Sequence, residues 1–169
     1  IREIRRQFQF EGRIVDGRLV GCTPEYAEIT RLVTDRGHFI TEAENFNREN
    51  VCVIAARLAD RLFPYEDPIG KRVYIPENTD FYTIVGVLKH RGASAAIGGS
   101  LESQDFSNDL YIPIRTLQLR IGDIVVRSSG GTREGEMLEL NQITVRVDSV
   151  NNVRETALVI ESALESHKN

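Results

Sequence analysis

The residues able to do chemistry are few and poorly grouped. His38, His90 and His167 are the three histidines, and their spacing puts no two on one helical face, so they form no zinc signature. Cys22 and Cys52 cannot make a multi-cysteine metal site by themselves. Both sit in apolar stretches, where they read either as two buried thiols or as a disulfide formed in an oxidising compartment. Gly70-Lys71 lacks the preceding glycine of a phosphate loop and follows a proline-bound turn, which suits the lead-in to a hairpin. Gly98-Gly99-Ser100 is a flexible stretch and not the Gly-x-Ser-x-Gly elbow of a nucleophile. Glu42 with Glu44, and Glu66 with Asp67, supply carboxylates with no sign of the contrasting environments that split an acid from a base. The sequence therefore assigns no catalytic, cofactor-binding or metal-binding residue and calls for no cofactor.

Composition narrows the class. A chain of 169 residues that is 41% hydrophobic and 27% charged can build a core, as one domain or as two lobes. The formal net charge of -4 gives no general attraction to nucleic acid. The stretch from Arg127 to Arg133 has glycines and hydroxyls but none of the interleaved aromatics of a single-strand binder. No apolar run approaches the roughly 20 residues needed to cross a bilayer. Ile1 to Arg6 has no initiating Met and no apolar stretch behind it, which suggests an excised or processed chain. Arg2, Arg5 and Arg6 read as an ordinary charged end, with contact to anionic lipid headgroups as the alternative.

Short elements alternate along the chain. Ile14 to Cys22 reads as two strands around Asp16-Gly17, a pair suited to a type I′ turn. Thr23-Pro24 opens a helix with Tyr26, Ile29 and Val33 on its apolar face, and Gly37 ends that piece. Thr41 to Glu44 has the spacing of a capping box and starts a short helix. Val51 to Ile54 is a buried strand, and Leu58 with Leu62 marks a helix closed by Pro64. Val73 to Ile75 and Phe81 to Leu88 flank a polar turn as an antiparallel hairpin, with Gly86 marking a bulge or a close backbone approach. The stretch from His90 to Asn108 reads as a long loop, a usual place for partner contacts. Leu110 to Ile112 resumes extended structure, and Pro113 demotes its end to an edge or a boundary. Ile124 to Val126 is a further strand, and Ile143, Val145 and Val147 alternate as a half-buried strand. Val153, Ala157, Ile160 and Leu164 form the stripe of a last helix, capped by Asn151 or Asn152. The sum is an α+β chain.

An ordered set of motifs resembles one family. It runs through Val20-Gly21, Thr23-Pro24 and Tyr26, then Gly37-His38-Phe39, Val51 to Ile54, Leu62-Phe63, and Asp67-Pro68-Ile69-Gly70-Lys71. Phe81, Ile84 to Val87 and Tyr111-Ile112-Pro113 complete it. These resemble the periplasmic core domain of MacB-type ABC transporter permeases, a class that shares its membrane organisation with FtsX and the lipoprotein-releasing transporters. His38 stands where that family usually has arginine, and Ala55 where it usually has glycine.

The resemblance implies a two-lobed α+β domain. One mixed βαβ lobe, membrane-proximal, would come from both chain ends, residues 1–50 and 114–169, and a hairpin-rich lobe, residues 51–113, would be inserted between them. It implies a non-catalytic part on the periplasmic or extracytoplasmic face of the bacterial inner membrane. That part would couple cytoplasmic ATP hydrolysis to export or extraction of cargo and dock a partner. The implied partners are the transmembrane helices of the same permease, an ATPase domain or subunit, a periplasmic adaptor or lipoprotein, and a second permease copy in the full transporter. Gly21, Thr23, Pro24, Tyr26, Gly37, Phe39, Phe63, Asp67, Pro68, Gly70, Lys71, Gly86 and Pro113 are the expected scaffold residues. His90, Arg91, Gly98, Gly99, Gln104 and Phe106 are the expected partner-binding loop. A stand-alone scaffold and a small metal-dependent hydrolase remain the alternative readings.

Overall fold

The computed structural model describes residues 1–90, 106–122, 124–129, 132–137 and 140–166. The chain opens with a long antiparallel pair, β1 (Arg2–Phe10) and β2 (Arg13–Cys22). Their two-residue turn is Glu11-Gly12, whose φ angles of 44° and 81° are both positive, as a type I′ turn demands. The turn expected at Asp16-Gly17 is therefore corrected: both residues lie inside β2, facing Gln7 and Arg6. Gly17 serves close approach instead, because a Cβ there would overlap the carbonyl oxygen of Asn108.

After β2 a single helical turn, α1 (Tyr26–Ile29), leads into a strand, β3 (Thr34–Gly37). The expected helical face does not reach Val33, and Gly37 ends a strand, not a helix. Arg31, at φ 56°, stops the helix first. Next comes α2 (Glu42–Asn47), with the expected capping box: the Thr41 hydroxyl accepts from the Glu44 amide, and the Glu44 carboxylate accepts from the Thr41 amide. Then follow β4 (Val51–Ile54), α3 (Ala56–Leu62), β5 (Arg72–Ile75) and β6 (Asp80–Leu88). The hairpin of β5 and β6 pairs Arg72 with Thr83 through Ile75 with Asp80. Beyond the stretch that contains residues 91–105, a short 3-10 turn at Phe106–Asn108 feeds β7 (Asp109–Pro113).

Strand β7 is not an edge. It inserts between β2, parallel, and β4, antiparallel, and all five of its residues are buried. Pro113 is tolerated because it is the last strand residue and the cap of the helix α4 (Ile114–Ile121). That helix was missed by the reading of the sequence, although Ile114, Leu117 and Ile121 share one face and Gly122 ends it at φ 72°.

The sheet order β3-β6-β4-β7-β2-β1-β5, with β5 also paired to β6, closes six strands into a barrel and leaves β3 outside on β6. Strands from 1–50 and from 51–113 share this sheet. Inside lie Phe8, Leu19, Ile54, Val73, Ile84 and Ile112, plugged by Leu58 and Leu62 of α3 and Leu117 of α4. Outside, Val20, Cys22, Val53 and Tyr111 carry a second core under Leu32 and Ile40. The alternation switches at a bulge in β6: Cys52 pairs with Ile84 but Val53 with Gly86. Gly86 meets both expectations, since it lies at the bulge and a Cβ on it would overlap the His38 carbonyl. Cys22 and Cys52 belong to these two different cores and are free thiols.

The rest of the chain is a hairpin, β8 (Ile124–Ser129) with β9 (Thr132–Met137), an irregular stretch, and α5 (Val153–Ser166). Ile143, Val145 and Val147 do not form the expected strand. Among the described residues, 141–147 pair with no strand, and Ile143 and Val145 are exposed. The cap before α5 is Ser149, whose hydroxyl accepts from the Asn151 amide at the head of a 3-10 turn, in place of the expected Asn151 or Asn152.

Gly17→Ala is expected to lower stability by about 2–3 kcal/mol through overpacking. Gly12→Ala, which meets only open space, should cost about 1–2 kcal/mol from its left-handed backbone. Urea unfolding midpoints of both variants check the order.

Candidate functional site

The outward face of β2 and β7 carries a largely buried charge cluster built by three strands. Arg18 pairs in register with Asp109, and its Nε and Nη2 donate to the two carboxylate oxygens at 2.9 and 2.7 Å. Its Nη1 donates to Glu3 on β1 at 3.0 Å, and the Tyr111 hydroxyl donates to Asp109 at 3.0 Å. Asp109 is 1% exposed. Burial pushes its carboxyl up to about 6, while Arg18 and the Tyr111 hydroxyl pull the other way. Burial works against the Arg18 guanidinium too, but the bonds to Asp109 win and raise its pKa.

The scaffold residues named from the sequence fall into two groups around this barrel. In the first, Tyr26 and Phe39 place their rings 6.1 and 5.9 Å from that of Tyr111. Gly37, at φ 70°, and Gly86 let the backbone of β3 and His38 cross β6 closely enough to bring Phe39 there. The Tyr26 amide donates to the Thr23 carbonyl at 3.1 Å, which turns the chain at Thr23-Pro24. Gly21 leaves room for Leu117, and Pro113 passes the chain from β7 to α4.

The second group lies between α3 and β5. Phe63 is buried with its ring 4.2 Å from that of Phe10. Asp67 accepts from the Ile69 amide and from Arg36, each at 3.1 Å, and Pro68 is buried beside it. Gly70, at φ 78°, donates its amide to Ile84 at 2.8 Å, and Lys71 is ion-paired with Glu66 at 2.5 Å. Each carboxylate of the Glu66-Asp67 pair thus has its own cation.

Of the expected partner loop, Arg91, Gly98, Gly99 and Gln104 lie outside the described residues. His90 is exposed, 3.3 Å from Asp60, and Phe106 starts the 3-10 turn before β7. His38 faces Glu44 at 3.8 Å, far along the chain from His90 and bound to a different partner. Among the described residues no three His, Cys, Asp or Glu side chains gather at one point.

This arrangement clamps; it does not open a reactive group to a substrate. Glu3, Arg18 and Asp109 tie β1, β2 and β7 together. Nearby the chain's later part returns to its first residues: the Ile1 amino group donates to Gln142, the Glu3 amide to Asn141 at 2.8 Å, and Arg146 to Glu28 at 2.7 Å. Reading the sequence missed this cluster, because nothing local couples residues 91 positions apart. The available signal was Asp109 set directly before the apolar run Leu110 to Ile112.

A model of the MacB-like periplasmic core domain matches residues 2–163, nearly the whole chain. The chain belongs to this family. As a MacB-like periplasmic core domain it lies on the periplasmic or extracytoplasmic side of the membrane. It is 30% identical over 150 residues, 86% of its length, to the macrolide export ATP-binding/permease protein MacB of Syntrophobacter fumaroxidans, and covers 19% of that protein. It is also 30% identical over 130 residues, 76% of its length, to the pyoverdine export ATP-binding/permease protein PvdT of Pseudomonas syringae pv. syringae, covering 17% of it. The domain thus spans about a fifth of the length of these relatives. Its fold is similar to that of the periplasmic region of MacB from Actinobacillus actinomycetemcomitans, with a TM-score of 0.66 at 20% identity, over 99% of this chain and 66% of that one. The extracellular domain of the ABC-type transporter YknZ from Gram-positive bacteria gives the same TM-score, 0.66, at 17% identity, over 92% of this chain and 66% of that one.

The clamp makes a prediction about pH. The folded Asp109 carboxyl titrates near 6 against an ordinary value of 3.8, so between these the folded state holds the extra proton. Its contribution to stability is therefore complete below about pH 4 and is lost as pH rises through about 6. Urea unfolding from pH 4 to 7 should show this falling slope, and Asp109→Asn should remove it. Arg18→Ala at pH 7, which strands a buried carboxylate, should cost about 3–5 kcal/mol.

Proposed function

We propose that the chain is the extracytoplasmic domain of an ABC transporter permease, transmitting the work of cytoplasmic ATP hydrolysis to a cargo and docking a partner protein. The observation that carries this reading is the family match across residues 2–163. The names of the matched relatives, which join an ATP-binding part to an export permease, support it. In this reading the ATPase is a separate domain or subunit, and this chain is not an enzyme. Its partners are the permease's own transmembrane helices, an adaptor or lipoprotein, and a second permease copy.

A coupling part must move as a body, and a closed barrel resists shear because every strand inside it is bonded on both sides. The expected division into a lobe from 1–50 and 114–169 and an inserted lobe from 51–113 belongs to the same proposal. The bonds from residues 141–146 back to Ile1, Glu3 and Glu28 support the first of these lobes. Because β4 to β7 share a sheet with β1 to β3, the barrel parts of both lobes would move together. The scaffold residues position surfaces in this scheme, and the stretch from His90 to Asn108 meets the partner.

The test places the domain in its complete transporter and shortens residues 91–105. ATP hydrolysis should persist while partner-dependent transport falls. Unchanged transport would remove residues 91–105 from the account, and loss of basal ATPase with an intact fold would remove the coupler reading.

A further inference from the structure

A row of side chains crosses the outer wall of the barrel. Backbone pairing sets Ile14 of β2 opposite Gln9 of β1, Gln9 opposite Tyr74 of β5, and Tyr74 opposite Phe81 of β6. Each alternates with an interior residue, Val15, Phe8, Val73 and Tyr82 in turn, so the four point outward. Ile14 is 55% and Phe81 49% exposed. The Tyr74 and Phe81 rings lie 4.7 Å apart, and the Arg72 guanidinium sits 5.3 Å from the Phe81 ring centre. Arg72 is exposed and makes no ion pair with another described residue.

Single exposed apolar side chains need no explanation, but these are in register across four neighbouring strands and carry an arginine. Tyr and Arg are the residues that dominate binding energy at protein contacts. An arginine resting on a ring keeps its N–H edge free for a carboxylate and loses little freedom when it binds one. Three spacings of about 4.8 Å make the row about 14 Å long, the span of four or five extended residues. At about 7 Å wide, two residues along a strand, the strip covers about 100 Å², far short of the roughly 800 Å² per partner that a stable dimer buries. We propose that this wall docks an acidic, apolar peptide segment of a partner protein. Its carboxylate meets Arg72, its apolar side chains cover Tyr74, Phe81 and Ile14, and Gln9 bonds its backbone. The docked segment would bridge the place where β1 and β5 meet through the single pair of Gln9 and Tyr74. This surface is separate from residues 90–108 and does not depend on the transport reading.

The probe is a random peptide library displayed on phage and selected on the 169-residue chain. The expected peptides carry Asp or Glu beside aliphatic or aromatic residues, and the synthetic peptide shifts the amide resonances of Gln9, Tyr74 and Phe81. Arg72→Gln should weaken binding about tenfold, and exchange of the peptide's acid for its amide should do the same. Phe81→Ser should abolish binding, with the amide spectrum of each variant confirming its fold. Arg72→Gln alters only an exposed side chain and keeps the test decisive if Phe81→Ser unfolds. The proposal is overturned if no peptide is selected, if the peptides lack acids, if the shifts lie elsewhere, or if Arg72→Gln binds as tightly. A concentration-dependent dimer that Phe81→Ser abolishes would overturn it in favour of a second copy.

Discussion

The structure depends on one strand, β7, taking its place in the middle of the sheet. β7 must slide between β2 and β4, because without it those two have no common neighbour and the barrel stays open. Two local features make the slot fit. Gly17 gives up its side chain where residue 108 passes, and Arg18 beside it takes both oxygens of Asp109. One position of the pair is steric and the next electrostatic, so the register of β7 is set twice. A slip by one residue would turn Leu110 and Ile112 outward and bring Asp109 into the apolar interior.

That arrangement accounts for what could be read in the sequence. Elements whose signals are local were legible: the capping box of Thr41 and Glu44, the strand from Val51 to Ile54, the hairpin of β5 and β6, and the Gly86 bulge. So was the helix α5, although none of its residues is buried. Errors arose where a local signal met a distant constraint. Asp16-Gly17 has the composition of a tight turn, yet the glycine is needed for the passage of residue 108, and the real turn falls at Glu11-Gly12. Pro113 suggested an edge because proline cannot donate to a ladder, but β7 ends there and no donor is missed. Ile143, Val145 and Val147 have the alternation of a strand, but none of the described strands pairs with them. The clamp itself could not be read, because Arg18 and Asp109 acquire meaning only together.

The same physics separates scaffold from surface. Asp67, Gly70, Phe63, Gly37 and Phe39 are held by rings, carbonyls and ion pairs of the domain itself, which explains why an ordered set of structural motifs could identify a family without revealing a reaction. Groups with chemistry are likewise spoken for: Glu66 by Lys71, Asp67 by Arg36, Asp109 by Arg18. On the outer wall of the barrel, Ile14, Tyr74, Phe81 and Arg72 present an apolar and cationic strip, as suits contact with another protein. A stiff body with recognition on its outside suits the coupling role proposed above.

The central claim is that the barrel moves as one rigid piece during the transport cycle. Pulsed electron-spin distance measurements test it most directly in the full transporter. Spin labels would be placed at Glu11, in the turn of β1 and β2, and at Gln118 on α4, both exposed; the buried native Cys22 and Cys52 would stay unlabelled. The account predicts the same Glu11–Gln118 distance with and without ATP, while the distance between the Gln118 positions of two permease copies changes. A Glu11–Gln118 distance that shifts with nucleotide would show the barrel opening, and would contradict it.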